Sequence, residues 1–168
     1  MSAAASRPAF ALRNEADTLL AGRLLAEALP EKSPYPAILL RGDLGAGKTS
    51  FVRGVAAALP GGEAAEVSSP SFNIVNYYPT QPELAHFDLY RLEHQPADEE
   101  LLDSLDQENR LTVVEWVQYL QKRDWPEHRL EIVLSRSGGG RELAAGDADD
   151  TAFRERLLAS WGRRFEKS

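Results

Sequence analysis

Cysteine is absent from this chain of 168 residues. Its absence excludes disulfides, thiolate-held metals and a cysteine nucleophile. Histidine is scarce: His86, His94 and His128 are the only three, too scattered to suggest a zinc site. No apolar run approaches the roughly 18–20 residues of a membrane span. Met1 to Pro8 lacks the apolar centre of a signal peptide. Positive charge is also short, with 19 Lys and Arg against 26 Asp and Glu and a net charge of −7. Proteins that hold nucleic acid by themselves present Lys and Arg to the phosphates, so direct binding is disfavoured. Service to RNA chemistry through basic partners stays open. These deficits predict a soluble cytoplasmic protein with no membrane contact. The length predicts one domain over residues 1–168 with a full core, a flexible tail at 1–9 and a helical extension at 147–168.

What is present is Gly42-Asp43-Leu44-Gly45-Ala46-Gly47-Lys48-Thr49, which fits the phosphate-loop pattern G-x-x-x-x-G-K-[ST]. The glycines let successive backbone N–H groups converge on phosphate oxygens. Lys48 supplies a cation for the terminal phosphates, and the Thr49 hydroxyl can join a magnesium shell. The flanks agree with this reading. Ala37 to Leu40 is a short apolar run that predicts a buried strand. Phe51, Val52, Val55, Ala56 and Leu59 recur at helical spacing until Pro60-Gly61-Gly62. Strand, glycine loop and helix is the order that puts an anion at a helix N-terminus.

Around this centre, Asn14 predicts a helix cap with Asp17 reaching back, followed by an apolar stripe from Leu19 to Leu29. Phe72–Tyr78 and Leu84–Arg91 predict two strands of a hairpin, with Leu84, His86, Asp88 and Tyr90 on one face. An acidic helix is expected within Pro96–Asn109, a buried strand at Leu111–Val114, and a short helix to about Lys122. Arg129–Ser135 and Arg141–Ala145 read as strands joined by a glycine turn, and Phe153, Leu157, Trp161 and Phe165 line a last helix. The fold expected is three-layer α/β of the P-loop NTPase kind. Its sheet is mainly parallel, with an antiparallel hairpin inserted after the phosphate-loop helix.

A phosphate loop needs a carboxylate partner for magnesium, commonly at the end of a neighbouring apolar strand. Glu115 ends one such run; the alternative is a carboxylate that simply emerges into solvent. Asp88 sits mid-strand between Phe87 and Leu89, where a half-exposed strand face explains it equally. Ser68, Ser69 and Ser71 around Pro70 read either as a turn or as a mobile segment that senses the terminal phosphate. Trp116 is a core residue or a base-stacking one. Arg91 and Arg141 are candidates for a cation beside the phosphates.

Taken together, these motifs resemble the TsaE family, small P-loop ATPases of bacterial tRNA threonylcarbamoyladenosine synthesis. The resemblance rests on the phosphate loop, Ser69-Pro70-Ser71-Phe72, His86-Phe87-Asp88-Leu89-Tyr90-Arg91 and Val114-Glu115-Trp116, and covers roughly residues 12 to 146. It implies ATP bound by Leu44, Gly45, Ala46, Gly47, Lys48 and Thr49. Mg²⁺ would lie among Thr49, Asp88 and Glu115, with Lys48, Asp88 and Glu115 in catalytic roles. Glu15 would border the adenine, and Arg141 matches a Gly-Arg position that contacts nucleotide. The implied partners are TsaD and TsaB, which transfer the threonylcarbamoyl group to the adenosine beside the anticodon, so tRNA is met only through the complex. This chain has Ser71 where the family usually has Thr, and Val117 where a proline commonly follows Glu-Trp. Two rival readings are a small-molecule P-loop kinase, for which no arginine-rich lid is visible, and a nucleotide sensor that hydrolyses nothing.

Overall fold

The computed structural model describes residues 7–70 and 73–168. Ser71 and Phe72, with the hydroxyl and strand start expected there, lie outside the described residues, as does most of the expected tail. In chain order the elements are β1 (Ala9–Leu12), α1 (Glu15–Ala28), β2 (Ala37–Arg41), α2 (Lys48–Ala58), β3 (Val75–Tyr78), β4 (Leu84–Asp88), α3 (Glu99–Leu105), β5 (Leu111–Glu115), β6 (Arg129–Ser137), β7 (Gly140–Ala148) and α4 (Thr151–Gly162). All seven strands join one sheet in the order β1-β7-β6-β2-β5-β4-β3. The central strands β6, β2, β5 and β4 run parallel. β3 closes one edge antiparallel to β4, and β7 and β1 continue antiparallel beyond β6 at the other. The expected α/β class and the inserted hairpin, β3–β4, are both present.

Strand alternation sorts the core onto two faces. Ile38 and Leu40 of β2, Leu111 and Val113 of β5 and Leu130, Ile132 and Leu134 of β6 pack with α1, α2 and α4. Ala37 and Leu39, Ala85 and Phe87 and Val114 face the other way, against Leu105 of α3 and the turns that carry Val117, Leu120 and Trp125. Where a short helix is expected before Lys122, there are two 3₁₀ turns, Val117–Tyr119 and Lys122–Asp124.

Helices α1 and α2 cross with their backbones almost in contact. A Cβ on Gly22 would stand 2.1 Å from the Phe51 carbonyl oxygen, and one on Gly54 would stand 2.1 Å from that of Leu19. Only glycine permits this approach. It brings the start of α1 beside the start of α2, where the Ser50 hydroxyl donates to Glu15 at 3.1 Å. The α1 cap forms as its sequence predicts: Asn14 accepts from the Asp17 N–H at 3.0 Å, and Asp17 accepts from the Arg13 N–H at 2.8 Å.

Ala9, expected in the tail, begins β1. Phe10 and Leu12 are buried, and the chain end pairs with this strand through Ala11 N–H to the Glu166 carbonyl and Ser168 N–H to the Ala9 carbonyl, both at 2.8 Å. Four residues are too few for periodicity to show; pairing with distant β7 and the C-terminus makes them a strand. The last helix, α4, is integral to the core: Phe153, Leu157 and Trp161 are buried on the α1 side of the sheet.

Candidate functional site

β2 ends at Arg41 and α2 begins at Lys48, so the phosphate loop is the whole connection between them. Gly45 and Gly47 hold left-handed backbone, φ 73° and 102°. That conformation strains other residues, and here it curls the loop over the α2 N-terminus. A cavity of about 890 Å³ opens there. Its walls are the loop from Leu44 to Ser50, the start of α1 with Glu15 and Thr18, the strand ends with Asp88 and Glu115, and Gly140-Arg141 at the start of β7. It lies at the carboxyl ends of the parallel strands, the usual ligand position in open α/β sheets.

Lys48 is buried, with its ammonium donating to the carbonyls of Gly42 and Asp43 at 2.5 and 2.8 Å. The same Nζ lies 4.1 Å from the Trp116 ring centroid. Burial draws its pKa below the ordinary lysine value, opposed by the negative charges of Glu115, Asp88 and Asp43. The loop thus keeps a desolvated cation beside the cavity.

Asp88 and Glu115 are register partners at the ends of adjacent parallel strands. Asp88 therefore closes its strand, where a mid-strand place was expected, because the chain after it turns into a 3₁₀ segment at Tyr90–Leu92. Both carboxylates are buried. Asp88 accepts from the Ser69 hydroxyl at 2.5 Å and from the Tyr90 N–H at 2.9 Å. Glu115 accepts from the Thr49 hydroxyl at 3.3 Å and lies 2.5 Å from His86 Nε2. Thr49, Asp88 and Glu115, separated by up to 66 positions, are thus brought to one end of the sheet.

Glu15 and Arg141 also reach the cavity wall. Glu15 is anchored by Ser50, and the Arg141 guanidinium donates to the Gly140 carbonyl at 2.9 Å. Arg91 lines the opening and is exposed. Trp116 is buried with backbone φ of 61°, a strained value for a bulky residue. Its ring stacks on Tyr119 at 5.2 Å and tilts against Tyr90 at 5.0 Å. That conformation turns the indole under Lys48.

Sequence pattern alone assigns no role to His86 or Thr18. His86 carries one available signal, its alternation with Asp88. Thr18 carries none, since its place 3.4 Å from a Cβ built on Gly47 follows from the α1–α2 crossing.

The donor set suits magnesium. One hydroxyl and two carboxylates are hard oxygen ligands, and magnesium is commonly bound by one or two carboxylates plus substrate phosphates. Among the described residues, no three His, Cys, Asp or Glu groups form a complete metal site by themselves. No helix among them is long and apolar enough to cross a membrane.

A family model described as "Threonylcarbamoyl adenosine biosynthesis protein TsaE" matches residues 12–143. A Bacillus subtilis protein named "tRNA threonylcarbamoyladenosine biosynthesis protein TsaE" is 38% identical over 106 residues, 62% of this chain and 65% of that one. The same-named protein of Rickettsia felis is 36% identical over 66% of this chain and 63% of its own length. The matches to these two relatives thus span less than two thirds of their lengths. The Mycobacterium tuberculosis protein of that name is 36% identical over 130 residues, 71% of this chain and 74% of that one. The crystal structure of Bacillus subtilis YdiB superposes with a TM-score of 0.67 at 28% identity, covering 92% of this chain and 93% of that one. The family match contains the phosphate loop, Asp88, Glu115 and Arg141, and stops before α4.

Proposed function

The chain belongs to the TsaE family, and from that premise we propose that it is a magnesium-dependent ATPase serving tRNA modification. In this reading it supports a TsaD–TsaB-type complex that places the threonylcarbamoyl group on the adenosine beside the anticodon. The observation that carries the reading is the meeting of Lys48, Thr49, Asp88 and Glu115 around one cavity at the phosphate loop.

The chain's own residues divide the work. The N–H groups from Leu44 to Thr49 face phosphate oxygens at the positive end of α2. Lys48, held ready by the Gly42 and Asp43 carbonyls, brings its ammonium to the terminal phosphates. Thr49, Asp88 and Glu115 would hold Mg²⁺. When bound, that ion neutralises charge on the phosphate oxygens. Ser69, on the Asp88 carboxylate, ties the segment after Val67 to the metal-binding end. Glu15 and Arg141 border the nucleotide from α1 and β7. The net charge of −7 fits a protein that meets tRNA through partners.

Two measurements test this. Lys48→Ala removes one member of a desolvated charge pair, a loss of roughly 2–5 kcal/mol, so calorimetry should show ATP affinity at least tens-fold weaker. Unchanged affinity in a folded variant rejects the phosphate-loop assignment. The second is steady-state ATPase with and without TsaD–TsaB. Slow turnover alone, altered by the partners, is expected, because fast phosphoryl transfer needs a cation beyond lysine and metal, often supplied in trans. A high rate alone, unaffected by the partners, rejects partner control.

A further inference from the structure

The end of β6 lies directly on the phosphate loop. At the first loop glycine, a Cβ on Gly42 would stand 2.5 Å from the Leu134 carbonyl oxygen. Two residues on, and so on the same side of the strand, Arg136 reaches the loop crest. Its Nη2 donates to the Leu44 carbonyl at 3.3 Å, and a Cβ on Gly45 would stand 2.2 Å from that nitrogen. The guanidinium therefore lies against the crest, where the Leu44 side chain is 67% exposed. The strand is itself fixed. Arg136 pairs in register with Arg141 across the β6–β7 hairpin. Just after the hairpin turn a Cβ on Gly140 would stand 2.4 Å from the Leu12 carbonyl oxygen, so the start of β7 is pressed against the end of β1.

We infer that Arg136 is a positioning residue for nucleotide binding: from the paired β6–β7 hairpin it holds the crest of the phosphate loop through the Leu44 carbonyl. The inference rests on the reading of the loop as an ATP site. A phosphate loop binds through backbone N–H groups, so its affinity depends on how much of the bound backbone geometry exists beforehand. Lys48 holds the Gly42 and Asp43 carbonyls and Gln118 that of Gly42, whereas the crest beyond them has left-handed backbone at Gly45 and an exposed apolar side chain at Leu44. A charge-assisted donor on the crest carbonyl restricts it before the phosphates arrive. The same hairpin presents Arg141 to the cavity wall, so loop and nucleotide-bordering arginine are held by one frame.

Arg136 is exposed, and its replacement should leave folding intact, which a thermal melt verifies. In Arg136→Ala, the dissociation constant for ATP and the KM should rise about three- to ten-fold, the range one surface hydrogen bond supports. The kcat should change by less than about two-fold, since an interaction already made before the reaction acts on binding alone. Arg136→Lys keeps a donor and should recover about half of the loss or more; Arg136→Met keeps the length without a donor and should behave as the alanine variant. ATP affinity unchanged in Arg136→Ala, with Lys48→Ala still binding weakly, overturns the positioning role and leaves the ATP site standing. Unchanged affinity in both variants overturns the ATP site and this inference with it. Equal loss in the lysine and methionine variants also overturns it, because the donor would then be irrelevant.

Discussion

His86 and Glu115 meet in the interior across two adjacent strands, His86 Nε2 to Glu115 Oε2 at 2.5 Å, with side chains 0% and 3% exposed. A carboxylate only accepts, so the imidazole is the donor. The other Glu115 oxygen takes the Thr49 hydroxyl. The carboxylate is thereby fixed from behind by β4 and in front by the first turn of α2. His86 Nδ1 has no hydrogen-bond partner among the described residues, so Glu115 is the contact that accounts for an imidazole here.

His86→Leu should therefore weaken magnesium more than nucleotide. Residues that orient a metal ligand commonly change metal affinity by about 10–100-fold. The Mg²⁺ concentration for half-maximal ATPase should rise by at least about ten-fold, while metal-free nucleotide affinity changes little. His86→Gln, which keeps an N–H donor, should fall between. An unaltered magnesium dependence in His86→Leu would show that Glu115 needs no support from behind.

Asp88→Ala and Glu115→Ala should each impair magnesium-dependent turnover more than metal-free nucleotide binding. Acting through one ion, they should combine less than additively in the double variant. Full ATPase activity in either single variant removes that residue from the site.

Trp161 tests the place of α4. The indole is fully buried, donates to the Ala21 carbonyl at 3.2 Å and meets Phe10 edge-on at 6.0 Å. Trp161→Ala should cost about 3–5 kcal/mol of stability, read as a lower urea midpoint. An unmoved midpoint would make α4 an appendage.

Asp147 gives a pH prediction. The Arg129 guanidinium hydrogen-bonded to it holds its carboxyl below the usual carboxylate value. A depressed folded value means the stabilisation is present above the unfolded value, about 3.9, and is lost as pH falls through the lower folded one. The side chain is 34% exposed, so solvent screening keeps the effect under about 1 kcal/mol. Urea midpoints of the parent and Asp147→Asn should differ at neutral pH and converge as acid carries the pH through the depressed folded value. A gap that persists undiminished in acid would assign the difference to shape and not to charge.

The phosphate loop was legible because everything it requires is contiguous. Glycines at 45 and 47 permit the left-handed turns, Lys48 follows, and apolar spacing marks the strand before and the helix after. The α1 cap at Asn14 and the β3–β4 hairpin were legible for the same reason, since caps and turns are local chemistry. Strand β1 was not, because its four residues become a strand only by pairing with β7 and the chain end. The short helix expected before Lys122 gives way to 3₁₀ turns where Trp116, with its positive φ, redirects the chain under the loop.

The sequence by itself determined a glycine-rich loop between a buried strand and a helix, and it offered acids at the ends of apolar runs. It could not say that Asp88 and Glu115 end side by side, that His86 backs Glu115, or that Arg136 lies on the loop crest. Those contacts join residues 27 to 92 positions apart. Local spacing fixes the conformation of neighbours along the chain, whereas contacts between distant residues are fixed by strand order and register. Here the order β6-β2-β5-β4 sets the phosphate loop between the strand that carries Arg136 and the two strands that carry the carboxylates.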